Sequence, residues 1–431
     1  MASDSMDSKK PKVCMLAYCE SPTSYPPMFH EGVSLGREGF EAEALCFAAT
    51  PEARPSEVHA PGFRTRRFRL RTRSFFHALL GPSTKIRILA ALQYALSYGE
   101  YVTKSLVHAL ASGADAYEGN DLPALLPALL AARIRRRPVV YRAHELFSET
   151  QSHVPFAWFW RLLDRLLVPK CDEVVTPEEN RSRIYLDEFG ANHLPMTVRN
   201  CPPYRPPMRS ARLREELVRR GVNCPTIVLY QGLIDSMRCI EEIAEATRYF
   251  DAGVVLVIIG GGYGKWADAA AVLARYDRVV VLPRVPYEEL PAYTASADIG
   301  ILLYRNDCRN NYYCAPNKVF EYMMMGLPVI AANYPGMISL VEGEAVGVCV
   351  NPGDARAIAA AVNRMAAEPE ARMRYGANGL RRSMERYHWD AEFQPLLMRY
   401  RALLEPRFSW DRQESPSQPP NETRADPSTR T

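Results

Sequence analysis

Asn311 to Asn333, NYYCAPNKVFEYMMMGLPVIAAN, reads as an irregular loop, a three-turn helix and a short buried strand. Pro316 suits the first helical turn, where a missing N–H costs nothing. Val319, Phe320 and Met323 recur at helical spacing and give one apolar face. Gly326 ends the helix as a left-handed cap, and Pro328 keeps it from resuming. Val329 to Ala332 is then an apolar strand.

The polar residues on this helix point to chemistry. Asn317, Lys318 and Glu321 stand at i, i+1 and i+4, clustered at the helix N-terminus. The free backbone N–H groups there, with the dipole behind them, make an anion site, and a first-turn lysine strengthens it. A carboxylate one turn deeper repels phosphate but accepts hydrogen bonds from paired hydroxyls such as those of a ribose. Together they have the shape of a nucleotide-diphosphate site. An ordinary i, i+3 surface pair between Lys318 and Glu321, worth roughly a few tenths of a kcal/mol, is the alternative.

At 431 residues the chain is long enough for two domains of roughly 200 residues each. Hydrophobic content of 47% and charged content of 24% are those of a globular protein. A net charge of +4 is too small to argue for nucleic acid. No stretch reaches the ~18 to 20 apolar residues of a membrane span. The opening MASDSMDSKKPK lacks a signal peptide's apolar segment, and the ten cysteines show no C-x-x-C spacing. A cytoplasmic, reduced protein without a zinc site or disulfides is expected.

Residues 1–11 read as a polar tail, and 12–200 as a first domain of alternating strands and helices. Its opening strand, Lys12 to Cys19, runs into the proline-rich loop SPTSYPP, a helix from Met28 to Glu38 and a strand from Glu43 to Phe47. Ligands of such sheets bind at the carboxyl ends of strands, so the loop from Tyr18 to Met28 faces the expected cleft. DAYEGNDLPALLPALL (115–130) passes from strand to helix through a polar loop at Glu118–Asp121. PVVYRAHELFSE (138–149) is a strand ending in His144 and Glu145, placed for a cleft, although a lone histidine is often structural. RTRRFRLRTR (64–73) carries Arg64, Arg66, Arg67, Arg69, Arg71 and Arg73, followed by Phe75 and Phe76. Basic residues beside aromatics suit an anionic membrane surface; a solvated edge strand with Phe68 and Leu70 inward is the alternative.

CPPYRPP opens a stiff linker, 201–210, and the alternation restarts over 211–385. A strand at Thr226 to Tyr230 leads into Gln231–Gly232, and Arg238 opens a helix to Phe250. A second strand, Val254 to Ile259, enters GGGYG, whose Gly260, Gly261 and Gly262 allow a phosphate close to the backbone. Because this loop lacks the spacing of either standard phosphate motif, a plain tight turn is equally open. Residues 386–408 form a last amphipathic helix, and 409–431 a disordered tail. The pattern is α/β: two doubly wound, Rossmann-like domains with parallel sheets facing a cleft.

In the second domain the loop-borne glycine and cation, the Gly-rich turn, the ADIGI strand and PNKVFEYMMMGLPVIA follow a familiar order. Together with YEGNDLPALLPALLAAR and VVYRAHELFSE, they resemble the retaining glycosyltransferases of family 4 (glycosyl transferase group 1), in a PNK-type variant. The resemblance runs from about Lys12 to Leu404 and implies the GT-B fold. The last helix then returns towards the first, acceptor-binding domain. By this resemblance Glu321 holds the donor ribose, while Pro316, Asn317 and Lys318 present the helix N-terminus to the diphosphate. Arg238 takes the place of a diphosphate-binding lysine, Gly232 belongs to the phosphate loop, and the backbone at Arg284 and Val285 pairs with the base. His144 lies near the donor sugar. Three positions depart from the pattern: Tyr313 replaces the first glutamate of E-x7-E, Leu233 replaces an arginine, and SPTSYPP replaces a glycine-rich loop.

The resemblance implies hexosyl transfer from a nucleotide-diphospho-sugar, with a UDP-sugar favoured, to a glycan or lipid-linked acceptor in cell-surface polysaccharide assembly. Anomeric configuration would be retained by same-face attack, with the departing phosphate as base and no protein nucleophile. His144 would stabilise the oxocarbenium-like sugar, and Glu145 would orient it or meet the acceptor. Arg238 and Lys318 would stabilise the leaving diphosphate. No DxD occurs in the sequence, so neither metal nor cofactor is expected. A sugar-nucleotide epimerase or hydrolase, or a non-catalytic nucleotide-sugar-binding subunit, are the alternatives, the last prompted by Leu233 and Tyr313.

Overall fold

A computed structural model of the chain describes residues 10–48, 50, 52–72, 87–150, 156–223, 226–405 and 407–408. Arg73, Phe75, Phe76 and both expected tails beyond residues 10 and 408 lie outside them. The first sheet contains β1 (Lys12–Ala17), β2 (Glu41–Ala48), β3 (Ser56–Ala60), β4 (Phe63–Arg69), β5 (Ala116–Asn120), β6 (Val139–Arg142), β7 (Glu173–Thr176) and β8 (Met196–Thr197). Their order is β3-β4-β2-β1-β5-β6-β7-β8, parallel throughout except where β3 pairs antiparallel with β4. The second sheet holds β9 (Thr226–Ile234), β10 (Val254–Gly262), β11 (Val279–Leu282), β12 (Ile299–Leu302), β13 (Val329–Ala332) and β14 (Gly347–Val350). It is wholly parallel, in the order β11-β10-β9-β12-β13-β14.

Continuous apolar runs explain these sheets. Leu256 to Ile258 and Val329 to Ala331 are fully buried, as strands covered by helices on both faces must be. Among the parallel strands of each sheet the order reverses once, between β1 and β5 and between β9 and β12. The crevices at those reversals, outside the carboxyl ends of the strands, hold the residues of interest.

After the Pro369–Glu385 helix the chain crosses back as the Trp389–Leu404 helix. Trp389, Phe393, Leu396, Leu397, Tyr400 and Leu404 pack into one cluster with Val13, Met15 and Ala44 of the first sheet. Trp389 Nε1 donates to Ser34 Oγ at 2.8 Å, and Arg399 Nε to Glu173 at 2.7 Å. The last helix therefore belongs physically to the first domain.

Several local expectations are corrected. β9 and β10 do not stop at Tyr230 and Ile259; pairing continues through Gly232–Gly260 and Leu233–Gly261 to Ile234–Gly262. Glycine's low strand propensity is outweighed there by the ladder on its neighbour. The polar stretch Glu118–Asp121 is mostly strand, leaving only Asp121, at φ 59°, between β5 and the Leu122–Arg135 helix. Arg238 closes a 3₁₀ turn, Ser236–Arg238, and the α-helix after it is only Ile240–Ala246. Pro316 is the cap residue before the Asn317–Met324 helix rather than part of its first turn.

The arginine run forms β4 and the start of the next segment. Phe68 and Leu70 point inward, Arg64 pairs with Glu43 at 2.5 Å, and Arg67 pairs with Glu57 at 2.8 Å. The inward apolar residues are those of the edge-strand alternative, but β4 lies between β3 and β2 and not at the edge, and its basic face is partly neutralised by the domain's own carboxylates.

Candidate active site in the interdomain cleft

The Asn317–Met324 helix follows β12 and points its first turn into the cleft. Lys318 lies directly over Gly232, where an added Cβ would come within 2.4 Å of Lys318 Cε. Gly232 also sits at φ +118°, a conformation that side chains rarely adopt. Lys318 Nζ stands 5.2 Å above the Tyr230 ring. Glu321 accepts from Gln231 Nε2 at 2.7 Å, while Gln231 Oε1 accepts from Thr294 Oγ1 at 2.7 Å. Thr294 thereby fixes which end of the Gln231 amide faces the carboxylate. Among the described residues Lys318 and Glu321 form no ion pair within 4.0 Å, so the surface-pair alternative does not hold.

These residues line a cavity of about 610 Å³. Gln231, Gly232, Leu233, Gly260, Gly261 and Gly262 form its floor, Arg284, Val285 and Tyr287 one wall, and Pro26 of the first domain its far side. At Gly260 an added Cβ would fall 1.8 Å from Gly232 O, and at Gly262 it would fall 2.4 Å from Trp266 Cβ. Side chains are excluded there by the paired backbone itself. A Cβ at Gly261 meets nothing within 4 Å.

A second cavity of about 330 Å³ also has Lys318 in its wall. His144, Glu145 and Arg181 line it from the first domain, and Arg238, Asn310, Pro316 and Asn317 from the second. Arg238 lies flat on Tyr304, 4.3 Å from the ring centroid. Burial and the neighbouring Arg238 push Lys318 down to about 7. Burial raises Glu321, with the Gln231 hydrogen bond acting against it. Both shifts have the sign that burial imposes by disfavouring the charged form of each group.

His144 is fixed from behind. Its Nε2 lies 3.0 Å from Asn120 Oδ1, and its ring meets Tyr25 edge-on at 4.9 Å. Asn120 Nδ2 donates to Glu118 Oε1 at 2.7 Å, and Tyr400 Oη of the final helix donates to Glu118 Oε2. A buried chain of hydrogen bonds thus reaches from the C-terminal helix to His144. Because the Asn120 amide nitrogen already donates to Glu118, its oxygen faces His144, and Nε2 carries the proton. Burial, with Arg142 and Arg181 nearby, lowers the His144 pKa well below its ordinary value. Its surroundings thus favour the neutral ring. Glu145 does not orient it: its side chain is exposed, and among the described residues only its backbone N–H is hydrogen-bonded, to Asp121 at 3.2 Å.

Arg181 carries no signal in the sequence, yet it joins the two domains. From the Glu179–Asp187 helix its guanidinium donates to His144 O at 2.8 Å, Asn310 O at 2.7 Å and Tyr313 O at 2.5 Å. Leu146 N–H adds a bond to Asn310 Oδ1 at 2.9 Å. Tyr313 packs against the first domain's core. None of Asn120, Tyr25, Gln231 and Arg181 is a candidate site residue from sequence: Tyr25 and Asn120 lie in the loops SPTSYPP and Glu118–Asp121, Gln231 is only the residue that follows a strand, and Arg181 carries no mark at all.

Residues 31–202 match the family described as "Glycosyl transferase 4-like domain", and residues 229–368 match "Glycosyl transferases group 1". In fold the chain is a two-domain GT-B assembly, and its two halves are similar in turn to these two domain families. Sucrose-phosphate synthase from Thermosynechococcus elongatus superposes with a TM-score of 0.72 at 17% identity, covering 92% of this chain and 100% of that one. HepE from Anabaena, in complex with UDP-glucose, superposes at 0.68 with 16% identity, covering 91% and 99%. In sequence, D-inositol 3-phosphate glycosyltransferase from Xylanimonas cellulosilytica is 24% identical over 221 residues, 49% of this chain and 51% of that protein. The chain matches about half the length of such curated relatives.

Proposed function

We propose that this protein transfers a hexosyl group from a nucleotide-diphospho-sugar, a UDP-sugar being favoured, to a hydroxyl acceptor with retention of anomeric configuration. The observation that carries this reading is one cavity lined by Glu321, Lys318, the Gly232 and Gly260–Gly262 backbone and the Arg284–Val285 segment. The UDP-glucose complex of the similarly folded Anabaena protein supports the donor class. In this reading Glu321 accepts from ribose hydroxyls and Lys318 and Arg238 take the charge that develops on the diphosphate. The acceptor oxygen bonds to the anomeric carbon on the face that the phosphate leaves, and the departing phosphate oxygen takes the acceptor's proton. His144 contributes as a neutral dipole, since an imidazolium would oppose the positive charge growing on the sugar.

Lys318 and Arg238 take the role that a divalent metal would otherwise have, and turnover unaffected by EDTA is expected. The acceptor is a glycan or lipid-linked sugar of cell-surface polysaccharide assembly; the relatives named for D-inositol 3-phosphate add a cyclitol phosphate to the acceptors worth assaying. A thermal-shift panel of UDP, GDP, ADP and dTDP with their sugar conjugates tests the site. A bound nucleotide at 100 times its Kd stabilises by about 2.7 kcal/mol, and UDP is expected to respond. Glu321→Ala and Lys318→Ala are each expected to cut turnover about a hundredfold. Wild-type rates in both, or a folded protein that responds to no nucleotide, would remove the assignment.

A further inference from the structure

The Ala157–Leu167 helix, AWFWRLLDRLL, is apolar on both sides. Trp160 and Leu167 face the core of the first domain. On the outer face Trp158, Leu162 and Leu166, at i, i+4 and i+8, are 69%, 47% and 48% exposed. Arg161 and Arg165 share that exposed side. The Leu122–Arg135 helix packs beside it and exposes Leu130 and Ile134 together with Arg133. Arg133 Nη2 reaches Lys170 O at 3.2 Å, just beyond the end of the first helix.

The exposed charge on this face is mostly basic, with Glu188 an exposed carboxylate close to Arg161 and Arg165. Glu149 takes up Arg161 at 2.6 Å, and Asp164 is buried against Ser148 Oγ at 2.7 Å. Among the described residues Arg133 and Arg165 meet no carboxylate within 4.0 Å. An exposed tryptophan and leucines flanked by unneutralised arginines match the boundary of an anionic bilayer, where rings and alkyl chains enter the acyl edge and guanidinium groups stay with phosphate. A protein surface would have to supply apolar area and acidic groups in that register; a lipid headgroup layer supplies both in any register.

We propose that this two-helix face docks the first domain on an anionic membrane. The surface contact expected of the arginine strand is thereby moved, since Arg64 and Arg67 are held by Glu43 and Glu57. Attachment is at the surface, because no helix among the described residues is long and apolar enough to cross a membrane. Phe147, in the turn after the His144–Glu145 loop, packs on Trp160 of the docking helix at 5.1 Å. Docking therefore brings the first-domain wall of the cleft close to the bilayer.

Vesicle co-sedimentation of the full chain tests this independently of any transferase assay. Phosphatidylcholine vesicles containing phosphatidylglycerol are expected to bind the protein, and pure phosphatidylcholine about tenfold less, with binding weakened by salt. Trp158→Glu/Leu162→Glu and Arg133→Glu/Arg165→Glu are each expected to lose about tenfold, while Arg66→Glu/Arg69→Glu binds as wild type. All these side chains are at least partly exposed, so unchanged melting temperatures are expected. Leu162→Ser provides a milder variant if Trp158→Glu/Leu162→Glu does not fold. No binding, equal binding to both vesicles, or loss confined to the arginine-strand variant would overturn the proposal. So would a wild-type dimer that Trp158→Glu/Leu162→Glu dissociates without any vesicle binding, which would assign the face to a second copy.

Discussion

Lys318 concentrates the electrostatics of the cleft in one amine. Burial and Arg238 hold its pKa down to about 7, below the ~10.4 of a free lysine. Between those values the unfolded chain binds a proton that the folded chain does not, so this group adds stability as pH rises from 7 towards 10. An incoming diphosphate reverses the balance by favouring the ammonium. UDP affinity is therefore expected to fall between pH 7 and 9, by up to about tenfold per unit, with uptake of a proton on binding. Calorimetry in buffers of different ionisation enthalpy reads both, and Lys318→Met should flatten the profile. Gly232 is the second residue on which the site depends. Gly232→Ala puts a methyl 2.4 Å from Lys318 Cε at φ +118° and is expected to cost about 1–3 kcal/mol and to weaken nucleotide binding. A melting temperature and UDP affinity equal to wild type would show that the lysine stem does not need that space.

At the scale of elements, the cleft is assembled by contacts that no single segment announces. Strands such as VVLVII and VIAA are legible because burial on both faces demands continuous apolar residues. The Asn317–Met324 helix was legible from its apolar spacing and its Gly326 stop, at φ +72°. The continuation of β9 and β10 through glycines was not, since glycine signals a turn and only the neighbouring strand makes it a ladder. Nor was Arg181, whose three carbonyl partners lie in two segments, at His144 and at Asn310–Tyr313, both distant from it in the chain. Arg181→Met leaves those buried carbonyls without a charged donor and is expected to cost about 1–3 kcal/mol. The domains should also separate, raising the radius of gyration in small-angle scattering. An unchanged radius with lowered stability would confine Arg181 to a local packing role.

For the whole molecule, the decisive feature is that the helix following the second domain packs on the first. The Trp389–Leu404 helix covers Val13, Met15 and Ala44 and supplies the hydroxyl at the head of the chain through Glu118 and Asn120 to His144. Truncation before Trp389 should therefore damage the first domain, although the second precedes the cut. Protease protection of residues 12–200 is expected to be lost while 211–385 stays protected. Equal protection of both would show that the first sheet stands without its last helix.

By itself the amino-acid sequence determined the α/β class, the division into two domains, the strands buried on both faces and the cluster Asn317–Lys318–Glu321. Each of these follows from local periodicity, capping and composition, which act over a few residues at a time. Tertiary structure alone decided that Gln231 rather than Lys318 holds Glu321, that Asn120 and not Glu145 fixes His144, and that Arg181 bridges the domains. It also showed Arg64 and Arg67 paired within their own domain, and the outer apolar face of the Ala157–Leu167 helix exposed. Those outcomes depend on which distant groups meet in a low-dielectric interior, where partner and burial set charge and orientation, and spacing along the chain carries no record of either.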